Sequence, residues 1–267
     1  MAGVAAGTQP LSGATPGDAD LERRFGGLRR LHGDAGYARL RSARVAVVGL
    51  GGVGSWTVEA LARSGVAELV LFDLDHVAES NVNRQVQALT HTLGQAKAVA
   101  LAERVAAIHP GCRVHAIEDF VQPQNWPALL TQPVDVLIDA CDQVPAKAAL
   151  AAWALATRTP FVCVGAAGGK RRAQEVAVED LAAVTHDPLL ASLRQRLRRS
   201  GAALRHGAIG VRCVFSREPV QRPTAGACDR GAPGAPLACA GYGSSVTVTA
   251  TFGMVAAGEA IAQRLRD

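Results

Sequence analysis

VAVVGLGGVGS, residues 45–55, is an apolar run broken by four glycines. The apolar part is typical of a buried strand, and a helical pattern from Gly54 to Ser64 begins where the glycines end. Such glycines let backbone amides approach a phosphate, and the helix N-terminus adds partial positive charge. The stretch predicts a nucleotide-binding turn formed by Gly49, Gly51, Gly52 and Gly54; the alternative is a merely tight strand-to-helix turn.

Strands and helices alternate along most of the chain. Strands joined by helices form parallel βαβ units, with helices on both faces of an open sheet. The prediction is therefore an α/β fold, a Rossmann-like doubly wound sheet with a C-terminal elaboration. The predicted strands are 44–48, 68–72, 113–117, 134–139, 161–164, 174–178 and 211–216. The predicted helices are 54–64, 95–108, 145–156 and 188–199, with short helices in 22–40. A loop is predicted at 221–243, and over 245–264 β-branched residues lead into a small-residue helix.

The composition predicts a leader followed by one domain. Residues 1–21 are rich in Ala, Gly, Pro and Thr and are expected to be disordered, whereas residues 22–267 are expected to form the domain. Within it, residues 166–244 form a basic, loop-rich insertion. No apolar run reaches the roughly 18 residues of a membrane span, and no signal peptide begins the sequence, so we expect a cytoplasmic protein without a membrane span.

Six cysteines contain no C-x-x-C pair, which argues against a zinc site. Most are expected to be buried free thiols of a reducing compartment. Cys228 and Cys239, in the expected loop, are candidates for an acceptor or sulfur-relay thiol.

Charged residues downstream of the glycines indicate which nucleotide the turn binds. Asp73 ends the second strand, where a carboxylate accepts hydrogen bonds from ribose hydroxyls, as either NAD or ATP requires. Asn81 and Arg84, in the segment SNVNRQ, add an amide and a guanidinium, and Lys97 is a second cation, although a solvated helix lysine is its simpler explanation. Asp142 follows a strand end and suits Mg²⁺. Cations at this position favour nucleotidyl transfer over hydride transfer.

Five motifs occur in order along the chain: GLGGVGS at 49–55, DLD at 73–75, SNVNRQ at 80–85, GQAK at 94–97 and DACDQ at 139–143. Together they resemble the E1-like (ThiF/MoeB/HesA) ATP-dependent activating enzymes, which adenylate carboxylates. The resemblance implies an E1-like adenylation domain. It also implies that ATP and Mg²⁺ bind at the positions Gly52, Asp73, Asn81, Arg84, Lys97 and Asp142, with Arg84, Lys97 and Asp142 acting in catalysis.

Four further stretches are similar to the bacterial tRNA threonylcarbamoyladenosine dehydratases: RFGGLRRLHG at 24–33, HDPLLASLRQRLRR at 186–199, VRCVFSRE at 211–218 and CAGYGSSVTVTATFGMVA at 239–256. This resemblance implies ATP-dependent cyclisation of N6-threonylcarbamoyladenosine at position 37 of tRNA, by a homodimer and without zinc. It leaves open whether the protein uses a monovalent cation and whether a cysteine desulfurase or sulfur-acceptor system is a partner. It also does not decide which N-terminal arginine, Arg24 or Arg30, reaches the partner protomer's ATP.

A basic cluster independently favours an anionic partner, since the chain carries a net charge of +5. The residues predicted to contact RNA are Lys170, Arg171, Arg172, Arg194 and Arg198. An ordinary solvated helix surface is the alternative.

Two other functions fit parts of the sequence. One is an adenylyltransferase that activates the C-terminus of a ubiquitin-like sulfur-carrier protein, which the missing zinc cysteines argue against. The other is an NAD-dependent oxidoreductase, for which a Tyr-x-x-x-Lys pair is lacking.

Overall fold

A seven-stranded sheet organises the structure, a computed structural model that describes residues 20–221 and 242–266. The strands are β1 (Arg44–Val48), β2 (Glu68–Phe72), β3 (Arg113–Ile117), β4 (Val136–Asp139), β5 (Phe161–Val164), β6 (Val176–Asp180) and β7 (Arg212–Ser216). The helices are α1 (Leu21–Ser42, kinked at Gly33), α2 (Gly54–Arg63), α3 (Lys97–Ile108), α4 (Val144–Thr157), α5 (Pro188–Ser200) and α6 (Val246–Leu265).

The strand order is β3-β2-β1-β4-β5-β7-β6, with every neighbouring pair parallel except β6 and β7. The chain first builds outward from β1 through β2 and β3, and then returns to the other side of β1 with β4. In open α/β sheets, ligands bind at the carboxyl ends of the strands where the order reverses. The predicted doubly wound α/β fold is confirmed, and its reversal lies between β1 and β4.

Alternate residues of each central strand enter different halves of the core. Val45 and Val47 of β1 pack with α2, α3 and α6, whereas Ala46 and Val48 pack with α4 and α5. Because side chains of a strand point alternately to opposite faces, a strand covered on both sides is apolar throughout. This explains why the continuous apolar runs of the sequence located the strands well.

The strand β4 and the helix α3 each begin two residues later than predicted, at Val136 and Lys97, and the predicted short helices of 22–40 form the single kinked helix α1. Two further differences concern β6 and α6. β6 falls at Val176–Asp180, two residues later than predicted, because a short 3-10 helix occupies Ala173–Glu175. α6 is helical from Val246 onward despite its β-branched start, since Val248 and Phe252 are wholly buried there and packing overrides propensity.

Several predictions concern residues outside those that the structure describes. They are the leader over 1–19, most of the loop at 221–243, and the two thiols Cys228 and Cys239. The described part of the segment 166–244 contains the helix α5 and the strands β6 and β7, and these two strands extend the same sheet. No helix within residues 20–221 and 242–266 is long and apolar enough to cross a membrane.

The buried side chain of His109 makes the stability of the fold depend on pH. The ring is fully buried against Phe25, and its Nε2 lies 2.6 Å from Nη1 of Arg41. Burial, followed by the charges of Arg41 and Arg24, lowers the pKa of His109 to about 4. The folded protein therefore keeps this ring neutral at pH values where the unfolded chain protonates it.

We expect stability to fall as the pH drops from 7 to 5, because the unfolded chain binds a proton that the folded protein excludes. The contribution of His109 over this interval is about 2 kcal/mol. Urea unfolding at both pH values would measure it, and His109→Gln should remove that part of the difference. An equal pH dependence in both proteins would contradict the assignment.

Candidate nucleotide-binding site

A cavity of about 610 Å³ lies at the carboxyl ends of the central strands. Eight of the nine predicted nucleotide-binding residues line it: Gly49, Gly51, Gly52, Asp73, Asn81, Arg84, Lys97 and Asp142. The fold thus brings residues from well-separated parts of the sequence to the edge of the sheet where the strand order reverses.

The glycine turn has two kinds of glycine. Gly49 has a φ of +84°, a left-handed conformation that favours glycine, and a Cβ on Gly54 would lie 1.8 Å from the carbonyl oxygen of Gly49. Gly54 does not line the cavity; it lets α2 start directly against β1. A Cβ on Gly51, by contrast, would meet no atom of residues 20–221 and 242–266 within 4 Å, so this residue faces space that the described part of the chain leaves open.

Asp73 fastens the glycine turn to the end of β2. One carboxylate oxygen accepts a hydrogen bond from the Leu50 amide at 2.6 Å, and the other accepts one from the Asp75 amide at 2.9 Å. Burial raises the pKa of the Asp73 carboxyl above its ordinary value, although the charge of Lys97 and both amide donors act in the opposite direction. The turn is therefore held in shape by the protein's own hydrogen bonds.

Lys97 stands at the first position of α3 with its side chain almost fully buried. Its ammonium lies 2.7 Å from Asp75 Oδ2 and 3.9 Å from Asp73 Oδ1. The ammonium therefore lies at the wall of the cavity and is paired with two carboxylates. The sequence located this cation and placed Asp75 in the DLD motif, but it did not predict that the two side chains pair.

Hydrogen bonds hold both the side chain and the backbone carbonyl of Arg84. Its Nη1 donates to the Ser80 carbonyl and to Asn83 Oδ1, both at 2.8 Å. Its backbone carbonyl accepts a hydrogen bond from the indole N–H of Trp56 at 2.9 Å. Asn81 shapes the preceding turn by accepting a hydrogen bond from the Ala78 amide. The guanidinium is thereby oriented at the cavity without a carboxylate partner among the described residues.

Asp142 follows the end of β4 and is half-buried at the cavity. Within residues 20–221 and 242–266, no cationic side chain pairs with its carboxylate. A carboxylate at the wall of a nucleotide-sized cavity is suited to hold a divalent cation together with phosphate oxygens.

Sequence reasoning missed a charged pair just behind Asp142. Lys147 and Asp139 are both fully buried, with Nζ and Oδ2 3.0 Å apart. Burial alone would lower the pKa of Lys147, but the charge of Asp139 raises it above its ordinary value. The sequence offers no signal for this pair, because a lysine on a helix is usually solvated.

Two other walls of the cavity were also missed. The loop of residues 165–168 follows β5, and its position after a strand end was a usable signal. Tyr242, Ser244 and Thr249 form the other wall and reach it only through the tertiary path of the C-terminal segment. Asn83 Nδ2 donates to the Ser244 carbonyl, which ties this wall to the Arg84 segment.

Of the residues predicted to contact RNA, some have exposed side chains and others have side chains that hydrogen-bond within the protein. The side chains of Arg171 and Arg172 are exposed, and their backbone amides donate to Glu218 Oε2. Lys170 is buried, and its ammonium donates to the carbonyls of His186 and Glu218. Since burial leaves Lys170 no surface to offer, we remove it from the set of RNA contacts.

The other two predicted contacts lie on α5. Arg194 is half-buried and donates to the carbonyls of Leu181 and Val184 at 3.1 and 2.9 Å, so its guanidinium has a structural task. Arg194 and Arg198 also line a second cavity of about 730 Å³, together with Arg199, Arg205 and His206. This basic cavity joins cationic side chains from α5 and from the segment that follows it.

Known proteins resemble the chain over nearly its whole described length. Residues 23–265 match the ThiF family. The tRNA threonylcarbamoyladenosine dehydratase of Escherichia coli strain K12 is 42% identical over 247 residues, which cover 90% of this chain and 92% of that protein. The Haemophilus influenzae protein of the same name is 39% identical, covering 92% of this chain and 95% of its own.

A solved structure agrees with these sequence matches. The crystal structure of E. coli tRNA N6-threonylcarbamoyladenosine dehydratase, TcdA, in complex with ATP has a TM-score of 0.83 and 40% sequence identity to this chain, covering 92% of it and 96% of the crystallised chain. The complex of the same protein with AMP gives the same TM-score of 0.83. From the family match and from relatives this similar over most of their length, we conclude that the chain belongs to the ThiF family.

Proposed function

We propose that the protein is an ATP-dependent tRNA threonylcarbamoyladenosine dehydratase. It adenylates the carboxylate of N6-threonylcarbamoyladenosine at position 37 of tRNA and closes the modified base into a cyclic, hydantoin-like form. The observation that carries the proposal is the 42% identity to the E. coli enzyme over 90% of the chain. The cavity at the reversal of the strand order, whose lining includes Arg84 and Lys97, supports the adenylation half of the reaction.

The residues present fit a triphosphate. Gly51 borders open space where phosphates can approach the backbone, and α2 begins just beyond it with the positive end of its dipole. Asp142 would hold Mg²⁺, which supplies Lewis-acid neutralisation of phosphate charge when bound. Asp73, at the end of β2, is placed for the ribose, as in other doubly wound nucleotide sites.

The chemistry asks mainly for charge stabilisation and proximity. The substrate carboxylate attacks the α-phosphorus of ATP, and pyrophosphate leaves. Arg84 and Lys97 offset the negative charge that develops in this transition state. A nitrogen of the same modified nucleoside then attacks the activated carbonyl, AMP leaves, and the ring closes. Because both reacting groups belong to one bound nucleoside, the second step is intramolecular.

The test combines the protein, Mg-ATP and tRNA that carries threonylcarbamoyladenosine. After digestion to nucleosides, mass spectrometry should show that the modified nucleoside has lost the mass of one water, and only when ATP is present. Unchanged nucleoside mass from protein that binds ATP would overturn the proposal. Adenylation of a Gly-Gly-tailed carrier protein in a parallel reaction would instead indicate the sulfur-carrier adenylyltransferase.

Gly51→Val should separate nucleotide binding from folding. We expect ATP affinity to fall by about 100-fold or more, because the new side chain fills space that the phosphates need. The midpoint of thermal unfolding should change little, since a Cβ at Gly51 meets no atom of the described residues within 4 Å. Titration with a fluorescent ATP analogue and a thermal melt measure the two quantities.

Gly54→Ala is the matched contrast, because its Cβ would lie 1.8 Å from the Gly49 carbonyl oxygen and should destabilise the fold. Wild-type ATP affinity in Gly51→Val would show that the phosphates lie elsewhere.

The exposed arginines and the basic cavity beside α5 are the proposed tRNA surface. The double variant Arg171→Ala/Arg172→Ala should weaken tRNA binding and reduce the salt slope of log K by about 2, one unit for each lost phosphate contact. Binding measured by filter retention at several salt concentrations gives the slope. Arg113→Ala, which removes an exposed arginine from the amino end of β3, should leave the slope unchanged. An unaltered slope in the double variant would exclude these two contacts.

A homodimer in the cytoplasm, where tRNA is modified, completes the proposal. The E1-like resemblance supports a dimer, as do exposed apolar side chains at Leu31, Val246 and Met254. Arg24 is engaged with the carbonyl of Ile108, which leaves Arg30 as the better N-terminal candidate to reach a partner protomer. Sedimentation equilibrium would test the dimer, and activity assays in K⁺, Na⁺ or neither would test a monovalent cation.

A further inference from the structure

The buried pair of Lys147 and Asp139 is costly for the fold. Both side chains are fully removed from solvent. Burying two charges costs several kcal/mol per ion in general, and apolar residues of similar size are often at least as stabilising. Lys147 also lies in the first turns of α4, where its charge opposes the positive end of the helix dipole. Stability alone is therefore a poor explanation for this pair.

The pair connects three parts of the cavity wall. Asp139 Oδ1 accepts hydrogen bonds from the amide of Cys141 at 3.1 Å and from its thiol at 2.9 Å. Lys147 Nζ donates to the carbonyl of Val164, the last residue of β5, at 2.7 Å. The pair thus joins the end of β4, the turn of residues 140–143 and the end of β5.

Both connected turns line the nucleotide cavity. Cys141, Asp142 and Gln143 come from the turn after β4, and Gly165 to Gly168 come from the turn after β5. Asp142 itself is half-buried and has no ion-pair partner in the described part of the chain, so its own contacts do not fix it. Its position depends on the backbone that Asp139 and Lys147 hold.

We propose that Lys147 and Asp139 are positioning residues, which hold the turn that carries Asp142 at a fixed place relative to the turn after β5. The proposal rests on the proposed function only in taking this cavity as the ATP site. Neither residue lines the cavity, and both act through the backbone of the two turns.

Amide hydrogen exchange of the nucleotide-free protein tests this directly. The amide of Cys141 donates to Asp139 Oδ1 at 3.1 Å and that of Ala166 donates to Asp187 Oδ2 at 2.9 Å, so both are protected in the native structure; only the first bond involves the pair directly, and the pair reaches the second turn through the Val164 carbonyl. In Lys147→Met we expect exchange at residues 140–143 and 165–168 to become at least about tenfold faster, with the rest of the sheet little changed. ATP affinity should fall by about tenfold in the same variant. Leu150→Met, a fully buried residue of the same helix, should do neither.

A second variant separates positioning from stability. Asp139→Leu/Lys147→Met removes both charges and the acceptor of the Cys141 amide, which should bring the thermal midpoint back toward that of the wild type. If the pair positions the turns, they still exchange fast and ATP still binds weakly in this stable protein. If both turns are protected as in the wild type, the pair is merely structural and the proposal is overturned.

The double variant also decides the question should Lys147→Met fail to fold. Because exchange is measured without ATP or tRNA, a failure of the proposed tRNA reaction would leave this result intact.

Discussion

Arg84→Ala is expected to lower the rate of AMP formation by about 10³-fold or more, the range over which arginines act in phosphoryl transfer. The guanidinium is oriented by Ser80 and Asn83 and faces the cavity without a carboxylate partner in the described residues. Removing it leaves the developing charge on the α-phosphate without its best donor. Release of AMP and pyrophosphate from Mg-ATP and modified tRNA, measured under single-turnover conditions, gives the rate.

Two controls accompany this variant. Arg84→Lys retains the charge but loses the planar fork, so we expect an intermediate rate. Arg113→Ala should be as active as the wild type, because its arginine pairs with Glu68 at the opposite end of the sheet. The thermal midpoint of Arg84→Ala should stay close to that of the wild type. Full turnover by Arg84→Ala would remove this residue from the catalytic set.

Asp142→Asn is expected to lower AMP formation by about 10²-fold at a fixed Mg²⁺ concentration and to raise the Mg²⁺ needed for half-maximal rate. The amide preserves the size of the side chain but loses the charge that attracts the cation. The turn after β4 should keep its structure, since its backbone is held by Asp139 rather than by Asp142. A Mg²⁺ titration of the AMP-forming rate in both proteins measures the effect.

Glu103→Gln is the matched control, because it neutralises an exposed carboxylate on α3 outside the cavity. An unchanged Mg²⁺ requirement in Asp142→Asn would show that another group holds the cation.

The sequence predicted the fold and the ligand-facing edge of the sheet because both depend on local patterns. Buried parallel strands are apolar on both faces, so β1, β2 and β4 stand out as short runs. The carboxyl ends of such strands meet at one edge, so the sequence alone predicts that Asp73 and Asp142 lie near the glycines.

Two lysines, Lys170 and Lys147, have roles that the sequence did not predict, because their surroundings depend on tertiary contacts. Lys170 resembles its exposed neighbours Arg171 and Arg172 in sequence, yet the carbonyls of His186 and Glu218 enclose its ammonium. In sequence, Lys147 resembles an ordinary solvated helix lysine, but the packing of α4 against β4 and β5 buries it. Residue type and spacing carry no information on which lysine the packing buries, so these roles required the structure.

The wall formed by Tyr242, Ser244 and Thr249 has a consequence for the order in which the protein is made. During synthesis, the glycine turn, Arg84 and Asp142 leave the ribosome well before this wall does. A nascent or prematurely ended chain that stops before residue 242 would contain every predicted catalytic residue but only part of the cavity. The complete cavity therefore forms only after this late-translated segment has been made.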